Sequence, residues 1–219
     1  MIVLPLTLIA LVFVHIVALH EVGSNNPDGI EIKEHKGPDG VPLDGVPFHP
    51  HHTSKDLIGI IVFLMIFFGV VFFAPEMGGY FLEHANFEPA DPLKTPEHIA
   101  PVWYFTPYYA MLRATPPLFE SALPGVLVMF AAIIVLFFLP WIDRNNVKSI
   151  RYRSAAYKVI LTLFVISFLW LGWLGLKPPT GLRTALAQIW TIVYFGFFVA
   201  LYIISKNEQT KPVPERVTD

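Results

Sequence analysis

The sequence predicts an all-α fold, a polytopic transmembrane helical bundle of five spans with a long outer loop. Of its 219 residues, 54% are hydrophobic and 15% aromatic, more apolar surface than one soluble domain needs to bury. Five stretches, 1–19, 57–74, 123–141, 159–176 and 185–204, each run about 18 to 20 residues without an acidic or basic side chain. At about 1.5 Å per residue, such helices reach roughly 27 to 30 Å, the thickness of a hydrocarbon core. Turn-forming segments separate them, so one polytopic domain, 1–219, is the natural unit.

The first stretch does not read as a signal peptide. It has no basic leading segment, its first Lys or Arg is Lys33, and no small-residue cleavage site follows. Met1 stands within the apolar run and offers no cap, so the expectation is a helix whose upstream neighbours are missing, through truncation or a split protein. Gly23 to Gly29, Pro38-Asp39-Gly40 and Leu43-Asp44-Gly45 then form turns before the second span. The segment 75–122 is the outer loop, in which Pro92, Pro96, Pro101 and Pro107 argue against a long regular helix. Lys177-Pro178-Pro179-Thr180-Gly181 divides the fourth span from the fifth.

Charge placement orients the chain. Lys33, Lys36, Lys55, Arg144, Lys148, Arg151, Arg153, Lys158, Lys206, Lys211 and Arg216 fall on one face, eleven of the 15 basic residues. Only Lys94, Arg113, Lys177 and Arg183 fall on the other. The positive-inside bias therefore predicts an outer N-terminus, an outer 75–122 loop and a cytoplasmic C-terminus. A net charge of −2 without a basic cluster speaks against nucleic-acid binding. The absence of cysteine excludes disulfides, thiolate metal sites and iron-sulfur clusters held by this chain. Redox chemistry here must use histidines, a bound cofactor or a partner.

His15 lies inside the first span, where an unpaired imidazole costs several kcal/mol, about the cost of any unsatisfied polar group in hydrocarbon. It is open to two readings, a packed histidine bonded to a neighbouring helix or an axial ligand to haem iron. His20 and Glu21 sit at the cytoplasmic boundary, where polar residues are ordinary. His49, His51 and His52 suggest a metal site, but they lack a second ligand cluster at helical spacing, and interfacial polar residues are the alternative. In the outer loop, Trp103, Tyr104 and their neighbours read either as an aromatic belt or as a proline-framed crevice for a flat ring such as a quinone.

Several runs carry a family resemblance. They are Leu19-His20-Glu21-Val22-Gly23-Ser24-Asn25-Asn26-Pro27, Phe48-His49-Pro50 with Lys55-Asp56, Ala90-Asp91-Pro92-Leu93 with Thr95-Pro96, and Trp103-Tyr104 with Ala110-Met111-Leu112-Arg113. Along nearly its whole length the chain resembles the cytochrome b subunit of quinol:cytochrome c oxidoreductase, proteobacterial type, and looks like the last five of that subunit's eight helices. The resemblance implies two b haems and quinol oxidation outside. One electron goes to an iron-sulfur partner and the other passes through the haems to quinone inside, coupled to proton translocation. It makes His15 the ligand to the inner haem. It places His20, Ser24, Lys55 and Asp56 at the inner quinone site, with Asp56 and His20 as catalytic candidates. Tyr104 and Tyr109 match the outer quinol pocket, and Trp103 joins them as a candidate contact.

Two departures matter. The family's outer-haem ligand lies 14 or 15 residues before His15, about 21 Å along a helix axis, at Met1 or before it. Both haem pockets thus need an N-terminal half, and this chain alone is not expected to be active. Val102 also stands where many members carry Glu, and it cannot take a quinol proton; Glu97 and His98 are the nearby candidates. The expected partners are an N-terminal cytochrome b half, a Rieske iron-sulfur protein, a cytochrome c-type subunit and membrane lipid, in a dimeric complex of the bacterial inner membrane. A noncatalytic membrane scaffold or transporter is the alternative, although neither an inverted repeat nor a broken midplane helix is visible.

Overall fold

A computed structural model describes residues 2–79, 82, 87–94 and 99–217. Among these the structure is helical, and its β pairing is limited to the isolated bridges Lys36–Pro42 and Leu118–Ser121. The helices are α1 (Val3–Val22), α2 (Thr53–Phe73), α3 (Thr106–Ala114), α4 (Leu123–Phe137), α5 (Leu139–Ile142), α6 (Ala155–Leu176) and α7 (Gly181–Lys206). Four of them, α1, α2, α6 and α7, are long and apolar enough to cross a membrane, and α4 is a shorter apolar helix. The chain is thus a multi-pass, all-helical membrane protein.

The charge-free stretches mark the middles of these helices rather than their ends. α2 begins at Thr53, so Lys55 and Asp56 occupy its first turn. Asp56 is well placed there, because unpaired N–H groups at a helix N-terminus favour a negative charge. The apolar stretch 123–141 is divided at Phe138, leaving 15 residues in α4 and four in α5. Pro140 accounts for the break, since it has no N–H to continue the helical ladder. Proline has the opposite effect in α3, a nine-residue helix within the proline-rich outer loop. Pro107 lies in its first turn, where the N–H would have no helical acceptor.

The chain divides into two compact units: Met1–Asp44, Pro140–Leu161 and Ala200–Asp219 form one, and Gly45–Leu139 and Thr162–Val199 the other. In the second unit, the core forms where α3 meets α4, α6 and α7. Ala110, Met111 and Ala114 of α3 are buried with Ala132, Leu171, Leu174 and Ala187. Two glycines permit the close approach of backbones. A Cβ on Gly125 would lie 2.5 Å from the Leu112 carbonyl oxygen, and one on Gly175 would overlap the Thr106 carbonyl. Tyr194 is buried, donates to the Ala132 carbonyl at 2.8 Å, and packs on Phe164 with ring centroids 4.9 Å apart. Helices α1 and α2 have no buried residue, so their apolar side chains require lipid or other protein around them.

Candidate functional site

In the first unit, α1 ends in a glycine cap. Gly23, at φ +86°, donates its N–H to the Leu19 carbonyl at 2.7 Å. Lys33 folds back, and its Nζ donates to the carbonyls of Glu21 at 3.1 Å and Val22 at 2.9 Å. A cation on these last carbonyls satisfies orphan acceptors and opposes the negative end of the helix dipole. His20 is exposed one turn earlier. Ser24 follows the cap and lines a recess of about 260 Å³ together with Val22, Gly23, Asn25, Ile30 and Lys148.

The walls of this recess are rigidly built. Asn26 accepts from the N–H groups of Asp28 and Ile30 through Oδ1 and donates to the Ile30 carbonyl at 2.7 Å through Nδ2. Loop 143–154, which carries Lys148, is held by buried charge. Arg153 pairs with Asp143 at 2.8 Å and Glu208 at 2.7 Å, and the Glu208 side chain has no exposed surface. Asp143 and Glu208 hold Arg153 in its charged form against the desolvation that opposes it, and its pKa rises above the usual value.

In the second unit, Lys55 Nζ lies 3.0 Å from His51 Nε2, and the His51 and His52 rings meet edge to face at 5.0 Å. An ammonium on that nitrogen occupies the direction a metal ion would need. Among the described residues no group of three His, Cys, Asp or Glu side chains is placed to hold a metal. Asp56 is exposed in the first turn of α2. His20 and Ser24 therefore belong to one unit and Lys55 and Asp56 to the other.

The outer-loop aromatics do different things. Trp103 and Tyr104 meet edge to face at 5.6 Å, and both are at least half exposed. Tyr109 instead lines a recess of about 370 Å³ with Ile99, Arg113, Lys177 and Pro178. Arg113 gives this recess its shape. Its guanidinium lies 4.5 Å from the Tyr109 ring centroid, and its Nη2 donates to the carbonyls of Leu174, Gly175 and Lys177 at 2.9, 3.2 and 3.1 Å. It thereby closes the end of α6. Val102 is exposed, and Glu97 and His98 lie outside the described residues.

His15 is exposed on α1, surrounded by apolar side chains that are themselves exposed. That setting leaves the imidazole and the apolar surface around it open to a flat hydrophobic ring or to a neighbouring helix. Spacing gave no indication of Arg113 as a helix cap, nor of Asp28 and Glu208 as buried anchors. Their partners lie 61 to 64, 123 to 124 and 54 to 63 residues away in sequence respectively.

Residues 89–195 match the family model described as Cytochrome b(C-terminal)/b6/petD. The chain is 59% identical to "Cytochrome b" of Allochromatium vinosum over 98% of this chain and 53% of the relative. It is 43% identical to "Cytochrome b" of Rickettsia bellii over 98% of this chain and 50% of the relative. Among solved structures it is similar to "Hyperthermophilic respiratory Complex III", with TM-score 0.83 and 39% identity over 95% of this chain and 50% of the other. The chain spans about half the length of these relatives.

Proposed function

We propose a function from one premise: the chain belongs to the cytochrome b family, as its C-terminal part. In this reading it works within a respiratory quinol:cytochrome c oxidoreductase. Electrons from quinol oxidation at an outer site pass to b haem and on to quinone at an inner site, with protons released outside and taken up inside. The observation that carries the reading is the likeness along nearly the whole chain, which includes the run from Leu19 to Pro27.

Each residue then has a defined task. His15 would hold the inner haem b through an imidazole nitrogen, together with a residue of an N-terminal cytochrome b half. When bound, haem b supplies a one-electron store between the two quinone sites. His20 and Ser24 hold carbonyl oxygens of the inner quinone by hydrogen bonds. Asp56 acts as the proton donor in quinone reduction, and Lys55, one residue before it in the first turn of α2, is a quinone contact. At the outer site, Trp103, Tyr104 and Tyr109 contact the quinol ring. Val102 cannot accept its proton, so Glu97, His98 or ordered water does so. The partners are a Rieske iron-sulfur protein and a cytochrome c-type subunit, in a dimeric complex of the bacterial inner membrane. The N-terminus is periplasmic and the tail cytoplasmic.

The test is Asp56→Asn in the complete complex. Loss of a general acid typically costs about 10²-fold or more, so reoxidation of the inner haem by quinone should slow by about that factor. An unchanged rate in a fully assembled complex overturns the assignment.

A further inference from the structure

The turn after α1 is latched to loop 143–154 by a buried carboxylate that none of the roles above uses. Asp28 has no exposed side-chain surface; it accepts from Tyr152 Oη at 2.6 Å and pairs with Arg151 at 2.9 Å. Beside it, Ser149 Oγ donates to the Pro27 carbonyl at 2.5 Å. Gly29, at φ +71°, lies against the same loop, so that a Cβ there would sit 3.0 Å from the Lys148 Cβ and 3.1 Å from the Ser149 nitrogen. Tyr152 is itself secured from the tail, because the Lys211 N–H donates to its carbonyl at 2.8 Å.

The latch lies between the two walls of the recess at Ser24. One wall, Gly23 to Asn25, leads directly into the Asn26-braced turn that carries Asp28; the other holds Lys148, three residues before Arg151. A buried carboxylate with charged and hydroxyl donors has one low-energy placement, because leaving any partner unmatched costs more than the bond contributes. The spacing of the walls is therefore fixed by these contacts rather than by the walls themselves.

We propose that Asp28, with Arg151 and Tyr152, acts as a positioning latch that sets the width of the recess at Ser24 and hence its affinity for a quinone ring. The inference rests on the reading of Ser24 as an inner-site quinone contact. It assigns no chemistry to Asp28, whose effect passes through the recess walls.

The test uses the assembled complex with its outer site inhibited, following b-haem reduction by a short-chain benzoquinol entering at the inner site. Asp28→Asn and Tyr152→Phe keep side-chain shape and remove the ionic or hydroxyl partner. Each should raise the apparent KM roughly fivefold, the equivalent of about one hydrogen bond. The inner-site kcat and outer-site turnover should stay within about twofold of wild type, and Ser24→Ala serves as the reference. If Ser24→Ala raises KM while both latch variants keep the wild-type value, the positioning role is wrong and the quinone assignment stands. If the latch variants lower turnover at both sites with KM unchanged, Asp28 is structural only, which also overturns the proposal. If Ser24→Ala leaves KM unchanged, the quinone assignment of this recess fails, and the latch's role fails with it.

Discussion

Arg113→Met removes the group that closes the end of α6, and its cost can be worked from the contacts. One guanidinium nitrogen serves three carbonyls at 2.9 to 3.2 Å, but it carries only two hydrogens, so two full-strength bonds are the ceiling. Bonds to a charged donor contribute about 1.5–3 kcal/mol each. The carbonyl at Lys177 is the exposed one and regains water in the variant. Loss of the cation over Tyr109 adds about 0.5–1 kcal/mol. With the two shortest contacts, to Leu174 and Lys177, taken as the two bonds, only the Leu174 bond is lost without replacement, so the sum is roughly 2–4 kcal/mol, which for a chain of this size corresponds to a melting shift of about 4–16 °C. Arg113→Lys should recover only part of this, because an ammonium on a flexible stem cannot reproduce the planar fork. Thermal melting of the purified complex, followed by helical circular dichroism and haem retention, measures both. Melting of Arg113→Met within about 1 °C of wild type would refute the claim that Arg113 secures α6.

Two further outcomes follow from packing and charge. Gly175→Ala places a methyl group against the Thr106 carbonyl, a clash with backbone that no rotamer relieves. It should destabilise the α3–α6 contact by about 1–3 kcal/mol or more, read as lower yield of assembled complex in membranes. Asp44 is held below the usual carboxylate range, first by its hydrogen bond from Arg216, with the Val217 N–H and the Arg216 charge adding to the effect. A depressed carboxylate stabilises the docked tail above its ordinary pKa and loses that contribution as pH falls through the folded value. Hydrogen exchange at Val217 should therefore stay protected, once corrected for intrinsic rates, from neutral pH down to about 4 and lose protection below it. Arg216→Gln should abolish that pH dependence.

The fold class was legible because nothing in the interiors of α1, α2, α6 and α7 interrupts an apolar run with charge. Helix ends were less legible, since Thr53 to Asp56 and Ala155 to Lys158 are polar or small residues that extend helices beyond their apolar middles. The effect of proline depends on its position. Pro107 does not prevent α3 because it sits in the first turn, whereas Pro140 shortens a stretch that reads as uniformly apolar. The site divides in the same way. His20, Ser24, Lys55 and Asp56 are candidates that rest on family resemblance alone. Asp28, Arg113 and Glu208 could not be picked out from the sequence, because their significance lies in partners brought together only by folding. Asp28 reads in sequence as one more turn residue between Pro27 and Gly29, and nothing local distinguishes it from Asp39 or Asp44.

The central claim, that this chain supplies an iron ligand to an electron-transfer haem, is tested most directly by His15→Leu in the complete complex. Reduced-minus-oxidised spectra of membranes carrying the variant and its partner subunits should lack the inner b-type haem and keep the outer one. Two b-type haems at wild-type stoichiometry would contradict it.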